Sequence, residues 1–191
     1  MWPLTLSVLV LAYLLGSFPT AYLAGRIVCG KDIRLMGDGN IGAQNAFRLF
    51  GPRVGLSVGV SDFLKGVAVI SIAQLANMSV PVILLSGMLV VAGHNWPVFL
   101  RFRGGRGEAT TIGVLLGVLT LPMLIIAAPA IATHFILRDT MKAAPFIFVP
   151  LPLVCWWLGM PGILIAYSIA LPCLVGFTHF LRTRRTVTRQ A

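Results

Sequence analysis

The chain has 191 residues, of which 58% are hydrophobic and 10% charged, and its 15 lysines and arginines outweigh 5 acidic residues to give a formal net charge of +10. A soluble domain normally carries roughly a quarter charged residues. This chain cannot cover its surface with polar groups, so the composition excludes a soluble globular fold. It predicts an all-α integral membrane protein whose apolar surface is covered by lipid.

Seven apolar segments are long enough, or nearly so, to cross a bilayer, with an uncertainty of one in the count. In chain order they are residues 2–25, about 62–77, 81–98, 109–121, 122–137, 145–158 and 162–181. The fourth and fifth meet at Leu121-Pro122 and are expected to form two tilted or half-length helices. The first is too long and lacks the basic start of a signal peptide, so we expect it to be retained. We treat residues 1–191 as one membrane-embedded domain.

The basic residues indicate the orientation, because Lys and Arg concentrate in cytoplasmic connections. Lys65 falls near the inner end of the second span, and the other fourteen lie in alternate connections and the tail: Arg26, Lys31, Arg34, Arg48, Arg53, Arg101, Arg103, Arg106, Arg138, Lys142, Arg182, Arg184, Arg185 and Arg189. This pattern predicts an external N-terminus and a cytoplasmic C-terminus, where anionic membrane lipids attract the tail. Such dispersed charge is not typical of a nucleic-acid binder. Two polar insertions, near 26–61 and 99–111, then share the cytoplasmic face.

The first insertion has the composition of an anion site. Its glycines and polar side chains include Gly37, Asp38, Gly39, Asn40, Gly42, Gln44, Asn45 and Arg48. Glycines let backbone N–H groups converge on one point, and a helix that starts just afterwards adds its positive end. A helix from Ala43 onward places Asn45 and Arg48 within one turn. The alternative is a flexible connector, which does not require so many polar side chains.

The second insertion combines glycines with arginines in residues 101–107, here called the arginine loop. Gly104, Gly105, Arg106 and Gly107 lead into a predicted helix with Thr110 and Thr111 in its first turn. Free N–H donors, the helix dipole and a guanidinium together suit a phosphate. The spacing is not that of a nucleotide-binding P-loop. The alternative is an ordinary positive-inside loop, and a second anion-suited insertion on the same face favours a site.

Other polar residues adjoin the predicted spans. Asp62 and Lys65 have the i, i+3 spacing of a helical ion pair. His94 ends the third span near the arginine loop, and His179 lies at the inner end of the last span, three residues before Arg182. The cysteines are scattered, and their spacing predicts neither a metal site nor a disulfide framework.

Several segments together resemble the bacterial membrane acyl-phosphate:glycerol-3-phosphate acyltransferases, the PlsY family. They are "GSFPTAYLAGRI", "GDGNIGAQNAFRLFG", "DFLKG", "GHNWPVFLRFRGGRGEATTIG" and the terminal His-x-x-Arg. The resemblance implies seven membrane helices, an external N-terminus and a place in the inner cell membrane. It implies transfer of an acyl group from acyl phosphate to glycerol 3-phosphate, giving lysophosphatidic acid. It implies no cofactor or metal, and we expect a monomer.

The resemblance also implies roles for individual residues. A catalytic role falls on Asp38, Arg48 and His179. Substrate or phosphate binding falls on Asn40, Asn45, Gly104, Gly105, Arg106, Gly107 and Arg182. Acyl phosphate is already activated, so the chemistry needs proximity and electrostatic stabilisation, and no covalent nucleophile. The attacking hydroxyl loses its proton to His179, to Asp38 or to the donor's phosphate.

Five positions depart from the family pattern. Asp38 replaces a serine, Gln44 a threonine, Arg106 a lysine, Glu108 an apolar residue and Arg182 an asparagine. Arginine keeps the charge of lysine but offers a planar fork. These departures leave open an acyltransferase with a different polar acceptor. A non-enzymatic anion or lipid-phosphate transporter is disfavoured, because its polar groups would gather near the midplane.

Asp38 is the most consequential departure, because an ionised carboxylate repels a phosphate. We expect it to be neutralised by Arg48 or Arg182, to be protonated, or to act as a base. Asp38 and Arg182 are then a candidate pair of compensating changes.

Overall fold

The computed structural model describes residues 2–137 and 139–187, and every regular element within them is helical. The α-helices are α1 Trp2–Ser17, α2 Thr20–Cys29, α3 Ala43–Phe50, α4 Pro52–Leu75, α5 Val80–Asn95, α6 Glu108–Val118, α7 Thr120–Leu137, α8 Thr140–Phe148, α9 Leu151–Trp157 and α10 Gly162–Val187. Short 3-10 turns cover Ile33–Leu35 and Val98–Leu100. Arg138 and Arg189, two of the predicted cytoplasmic charges, lie outside the described residues.

Within the described residues, five stretches are long and apolar enough to cross a membrane. They are Trp2–Cys29, Pro52–Leu75, Val80–Leu100, Thr120–Leu137 and Gly162–Arg182, and two shorter apolar stretches cover Glu108–Val118 and Lys142–Trp157. Their exposed surface is rich in Leu, Ile, Val, Phe and Trp. The predicted all-α integral membrane protein is confirmed. The predicted total of seven spans is reached only if both shorter stretches also cross the membrane. That total stays a prediction.

The first span is broken between α1 and α2. Pro19 has no N–H to donate and interrupts the helical ladder. At this break the carbonyl of Phe18 accepts hydrogen bonds from the Thr20 N–H at 3.1 Å and from the Lys65 ammonium at 2.6 Å. A break at membrane depth requires such partners, because lipid offers none. Lys65 of α4 therefore anchors the point from which α2 turns toward the first insertion.

The second span begins ten residues earlier than the hydropathy pattern predicts. Gly51 has a φ of +86°, and Pro52 follows at the first turn of α4, the position where proline suits a helix start. Gly55 packs so closely on α3 that a Cβ there would overlap the backbone of Phe47. The glycines and serine at the start of α4 lower its hydropathy, which explains the error. The polar part of the first insertion thus ends at Gly51.

Close helix contacts position the ends of α5 and α6, which flank the arginine loop. A Cβ on Gly16 of α1 would overlap the carbonyl of Val90, and one on Gly66 of α4 would overlap the carbonyl of Thr110. Small residues at helix crossings are typical of membrane bundles, where packing replaces the hydrophobic effect as the source of association. Both ends of the loop are therefore attached to closely packed helices.

Candidate active site

The first insertion forms a tight polar turn before α3. The Asp38 carboxylate accepts the Asn40 N–H at 3.0 Å, and Gly37 and Gly39 have positive φ values of 58° and 69°. Asn45 is buried and donates through Nδ2 to the carbonyls of Met36, at 3.2 Å, and Asn40, at 3.0 Å. Asn45, which the resemblance placed among the binding residues, thus holds the shape of the turn. The predicted helix from Ala43 is confirmed.

The arginine loop folds back onto the end of α5. The Gly104 N–H donates to the Asn95 carbonyl at 3.2 Å, and the Gly105 N–H donates to the His94 carbonyl at 3.0 Å. Gly107, with a φ of +82°, caps the start of α6. The predicted glycine loop leading into a helix is confirmed, and its shape is set by the last residues of the third span.

Helix α10 attaches to the same loop through Arg182. The guanidinium donates through Nη2 to the Asn95 carbonyl at 2.7 Å and through Nη1 to the Gly104 carbonyl. Asn95 in turn donates to the Thr178 hydroxyl at 3.0 Å. Arg182 thus holds the loop, and because it also lines the main cavity its expected contact with phosphate stays a prediction. His179, on the adjacent turn of α10, lies within electrostatic range of Arg106.

The two insertions and α10 line an open cavity of about 1100 Å³. Its lining includes the backbone of Gly39 and Gly104, and aromatic and apolar side chains such as Trp96, Phe99 and Leu181. Its charged lining residues, among those described, are Asp32, Arg34, Asp38, Arg101, Arg103, Arg106 and Arg182. Five guanidinium groups against two carboxylates favour an anionic ligand.

Asp38 and Arg106 connect the two insertions across the cavity. The Arg106 Nη2 lies 3.4 Å from the Asp38 Oδ2, and the two residues are 68 positions apart in the chain. Arg106 is a different cation from Arg48 or Arg182, the two that we considered as partners for Asp38. Burial leaves the Arg106 Nε and the Asn40 Oδ1 without a hydrogen-bond partner among the described residues. Both residues line the cavity, and a buried polar atom without a partner calls for an explanation such as a ligand.

Arg48 does not line this cavity. Its side chain is 57% exposed, and its guanidinium lies 3.9 Å from the Asp139 carboxylate, between α7 and α8. The sequence placed Arg48 one turn after Asn45 and expected both at the site. The helix turn instead directs Asn45 inward and Arg48 outward.

The sequence did not single out the ion pair of Asp32 and Arg34, which also lies in the cavity wall. Arg34 lies 2.6 Å from the Asp32 carboxylate, and its guanidinium carbon lies 5.2 Å from the centre of the Tyr22 ring. The hydrogen bond from Arg34 lowers the pKa of Asp32 below its ordinary value of 3.8, so the pair stays ionised at neutral pH. The spacing of Asp32 and Arg34, with one residue between them, is the sequence feature that could have predicted this ion pair.

Helix α6 carries its own acidic residue at its start. Glu108 is the first helical residue, directly after Gly107. A carboxylate there interacts favourably with the helix dipole and competes with a bound anion for it. An anion at this loop would therefore gain more from the Arg106 guanidinium than from the helix dipole.

An apolar helical bundle with an arginine-lined cavity at the ends of its helices defines a class: integral membrane proteins that handle anionic substrates at the bilayer boundary. The family model described as glycerol-3-phosphate acyltransferase matches residues 6–189. The chain belongs to this family, and it is an acyltransferase.

Individual relatives agree with the family match. "Glycerol-3-phosphate acyltransferase 4" of Dehalococcoides mccartyi (strain ATCC BAA-2266) is 48% identical over 176 residues, which span 92% of this chain and 95% of that protein. The glycerol-3-phosphate acyltransferase of Geotalea daltonii is 37% identical over 174 residues, 91% of this chain and 89% of that protein.

Solved structures show the same fold. The crystal structure of PlsY (YgiH), an integral membrane glycerol 3-phosphate acyltransferase, matches in its glycerol 3-phosphate form with a TM-score of 0.81 and 30% identity, over 96% of this chain and 92% of that chain. Its lysophosphatidic acid form matches with a TM-score of 0.79 and 29% identity. The resemblance noted in the sequence is confirmed.

Proposed function

We propose that this acyltransferase takes its acyl group from an acyl phosphate and binds glycerol 3-phosphate in the cavity between the two insertions. Its product is lysophosphatidic acid, an early intermediate of phospholipid synthesis. One observation supports the site above all others: the contact between Asp38 and Arg106 joins two distant polar segments across a cavity rich in guanidinium groups.

The phosphate of glycerol 3-phosphate is proposed to lie against the arginine loop. Arg106 offers a guanidinium with a buried, unpartnered Nε, and a guanidinium can hold two phosphate oxygens at once. The backbone of residues 104–107 lies beside it. Asn40 supplies a buried carbonyl oxygen that a glycerol hydroxyl would satisfy, which removes the cost of leaving an acceptor unpaired.

The proposed reaction needs no cofactor. The 1-hydroxyl oxygen attacks the acyl carbonyl carbon, the bond from that carbon to the phosphate oxygen breaks, and inorganic phosphate leaves. The hydroxyl proton passes to His179, to Asp38 or to the departing phosphate. The arginines lower the barrier by holding two anions together and stabilising the charge that develops on the phosphate. The acyl tail remains among the apolar helices.

The proposed topology places this chemistry at the cytoplasmic face of the inner membrane. It has seven spans, an external N-terminus and a cytoplasmic C-terminus, with the two short apolar stretches as spans four and six. The distribution of Lys and Arg supports this orientation, because the cavity lies at the end of the bundle that bears the basic connections. The active unit is proposed to be a monomer.

Turnover by purified protein tests the function. With an acyl phosphate and glycerol 3-phosphate, we expect lysophosphatidic acid and inorganic phosphate in equal amounts. Acyl-CoA and acyl carrier protein thioesters are expected to give no product. An absence of product from acyl phosphate, under conditions where the Geotalea relative is active, would contradict the proposal.

A different polar acceptor is the second candidate, favoured by the carboxylate of Asp38 in the cavity wall. The same assay with glycerol and with dihydroxyacetone phosphate as acceptors tests it. Faster turnover with either than with glycerol 3-phosphate would establish it.

Arg48 is proposed to assist the reaction from the rim of the cavity. Its pair with Asp139 is long and exposed, so redirecting the guanidinium toward an acyl phosphate costs little. Arg48→Ala is expected to lower kcat about 100-fold, the effect of removing one electrostatic stabiliser. Arg53→Ala, a change of the same charge at the start of α4, is the control. Equal activities of the two variants would remove Arg48 from the mechanism.

Asp38→Ser separates two roles of this carboxylate. Its negative charge opposes phosphate binding, so we expect KM for glycerol 3-phosphate to fall about three- to tenfold. A serine hydroxyl can still accept the Asn40 N–H, and kcat should stay within about threefold. Initial rates across glycerol 3-phosphate concentrations measure both. A fall of kcat by two orders of magnitude would instead identify Asp38 as the base.

A further inference from the structure

A cluster of four polar side chains, two of them buried and two partly buried, lies within the bundle beneath the arginine loop. The Asp62 Oδ1 accepts hydrogen bonds from the Thr20 hydroxyl at 3.0 Å and the Lys65 ammonium at 2.8 Å, and it lies 3.7 Å from the His94 Nδ1. The side chains of Asp62, His94 and Lys65 are 3%, 8% and 9% exposed. This Asp62 cluster joins α2, α4 and α5.

Stability alone does not account for the whole cluster. Burying charged groups costs several kcal/mol, and a buried ion pair seldom stabilises a fold more than apolar residues would. Lys65 has a structural task, since it satisfies the Phe18 carbonyl at the helix break. The contact between Asp62 and His94 does not satisfy a backbone group at a helix break. Neither residue lines the large cavity, so neither is placed to bind substrate there.

The His94 ring is the link between the cluster and the arginine loop. A Cβ on Gly105 would overlap the His94 Nε2 and would come within 2.6 Å of the Ile41 carbonyl oxygen. The loop backbone at Gly105 is therefore held between the ring on one side and the first insertion on the other. A small second cavity borders Asp62, His94 and both loop glycines, Gly104 and Gly105.

We propose that Asp62 and His94 are positioning residues for glycerol 3-phosphate binding. Asp62 orients the His94 ring, and the ring fixes the place of the Gly104–Gly105 backbone against which the phosphate lies. The inference rests on the proposed phosphate site at the arginine loop. A binding site must hold its groups within about 0.5 Å, which requires such supporting contacts.

Asp62→Asn tests the inference with little change of shape. The asparagine keeps an acceptor for Thr20 but loses the negative charge that attracts Lys65 and faces the His94 ring. We expect KM for glycerol 3-phosphate to rise about tenfold, KM for acyl phosphate to stay within about twofold and kcat to stay within about threefold. His94→Ala should give the same pattern. Because both residues act through one loop, KM for glycerol 3-phosphate in the double variant should be no higher than in the more affected single variant.

Tyr167→Phe is the matched control. It removes another buried hydrogen bond between helices, from Tyr167 to the Leu84 carbonyl at 3.0 Å, far in sequence from the loop. We expect it to lower the melting temperature and leave both KM values unchanged. Rates are normalised to the amount of folded, monodisperse protein. The rise of the melting temperature with added glycerol 3-phosphate gives a second measure of binding.

The outcomes separate this inference from the proposed function. If Arg106→Ala raises KM for glycerol 3-phosphate while Asp62→Asn and His94→Ala behave like Tyr167→Phe, the positioning role is wrong and the phosphate site stands. If Arg106→Ala also leaves that KM unchanged, the site itself is wrong and the inference falls with it. An equal rise in both KM values would likewise contradict a role specific to the loop.

Discussion

Arg106→Ala is expected to lower kcat/KM for glycerol 3-phosphate about 1000-fold. Arg106 is the cavity arginine that reaches across to the opposite insertion, through its contact with Asp38. Its loss removes a charge-assisted, bidentate contact to phosphate and leaves Asp38 without its cation. Both effects weaken binding of a doubly charged substrate. The uncompensated charge of Asp38 also destabilises the transition state. Steady-state rates with each substrate varied in turn measure the loss.

Two further variants, Arg106→Lys and Arg53→Ala, are the controls for Arg106→Ala. Arg106→Lys keeps the charge but loses the planar fork, and we expect it to recover a part of the activity. Arg53→Ala removes one positive charge from the same face, at the start of α4, and should change the rate less than threefold. A loss after Arg53→Ala as large as that after Arg106→Ala would show that only the overall charge of the face matters.

Gly105→Ala is expected to lower activity about 100-fold without unfolding the protein. The added methyl group cannot fit between the His94 ring and the Ile41 carbonyl, so the loop must move, and displacements near 1 Å cost about this much in a positioned site. The rise in KM for glycerol 3-phosphate should exceed that for acyl phosphate. Full activity after Gly105→Ala would mean that the loop backbone does not hold the substrate.

Gly176→Ala is the control for a change from glycine to alanine. Gly176 lies in α10, and a Cβ there meets nothing within 4 Å. Alanine favours a helix over glycine by up to about 1 kcal/mol. We therefore expect unchanged rates and an equal or slightly higher melting temperature.

Local patterns were sufficient to predict most of the apolar helical segments and some of the contacts within one helix. Apolar runs predicted the membrane bundle, and the i, i+3 spacing predicted the pair of Asp62 and Lys65, which lie 2.8 Å apart. The start of α4 was missed because Gly55 and its neighbours make that segment less apolar, while Pro52 and close packing on α3 still favour a helix.

Contacts between distant segments could not be predicted in the same way. Helix crossings set which arginine faces Asp38, and they bring Arg106 to it while Arg48 turns toward Asp139. Arg182 was assigned to the substrate because a cation near a proposed phosphate site suggests a ligand. The packing of α10 against α5 also gives it the backbone carbonyls of Asn95 and Gly104, a structural contact that the sequence did not indicate.

A structure of this protein with glycerol 3-phosphate bound is the most direct test of a shared phosphate site between the two insertions. We expect phosphate oxygens within about 3 Å of the Arg106 guanidinium and of the backbone N–H groups of Arg106 and Gly107. We also expect a glycerol hydroxyl at the Asn40 side-chain oxygen. A phosphate bound outside this cavity, with Arg106 still paired to Asp38, would contradict the shared site.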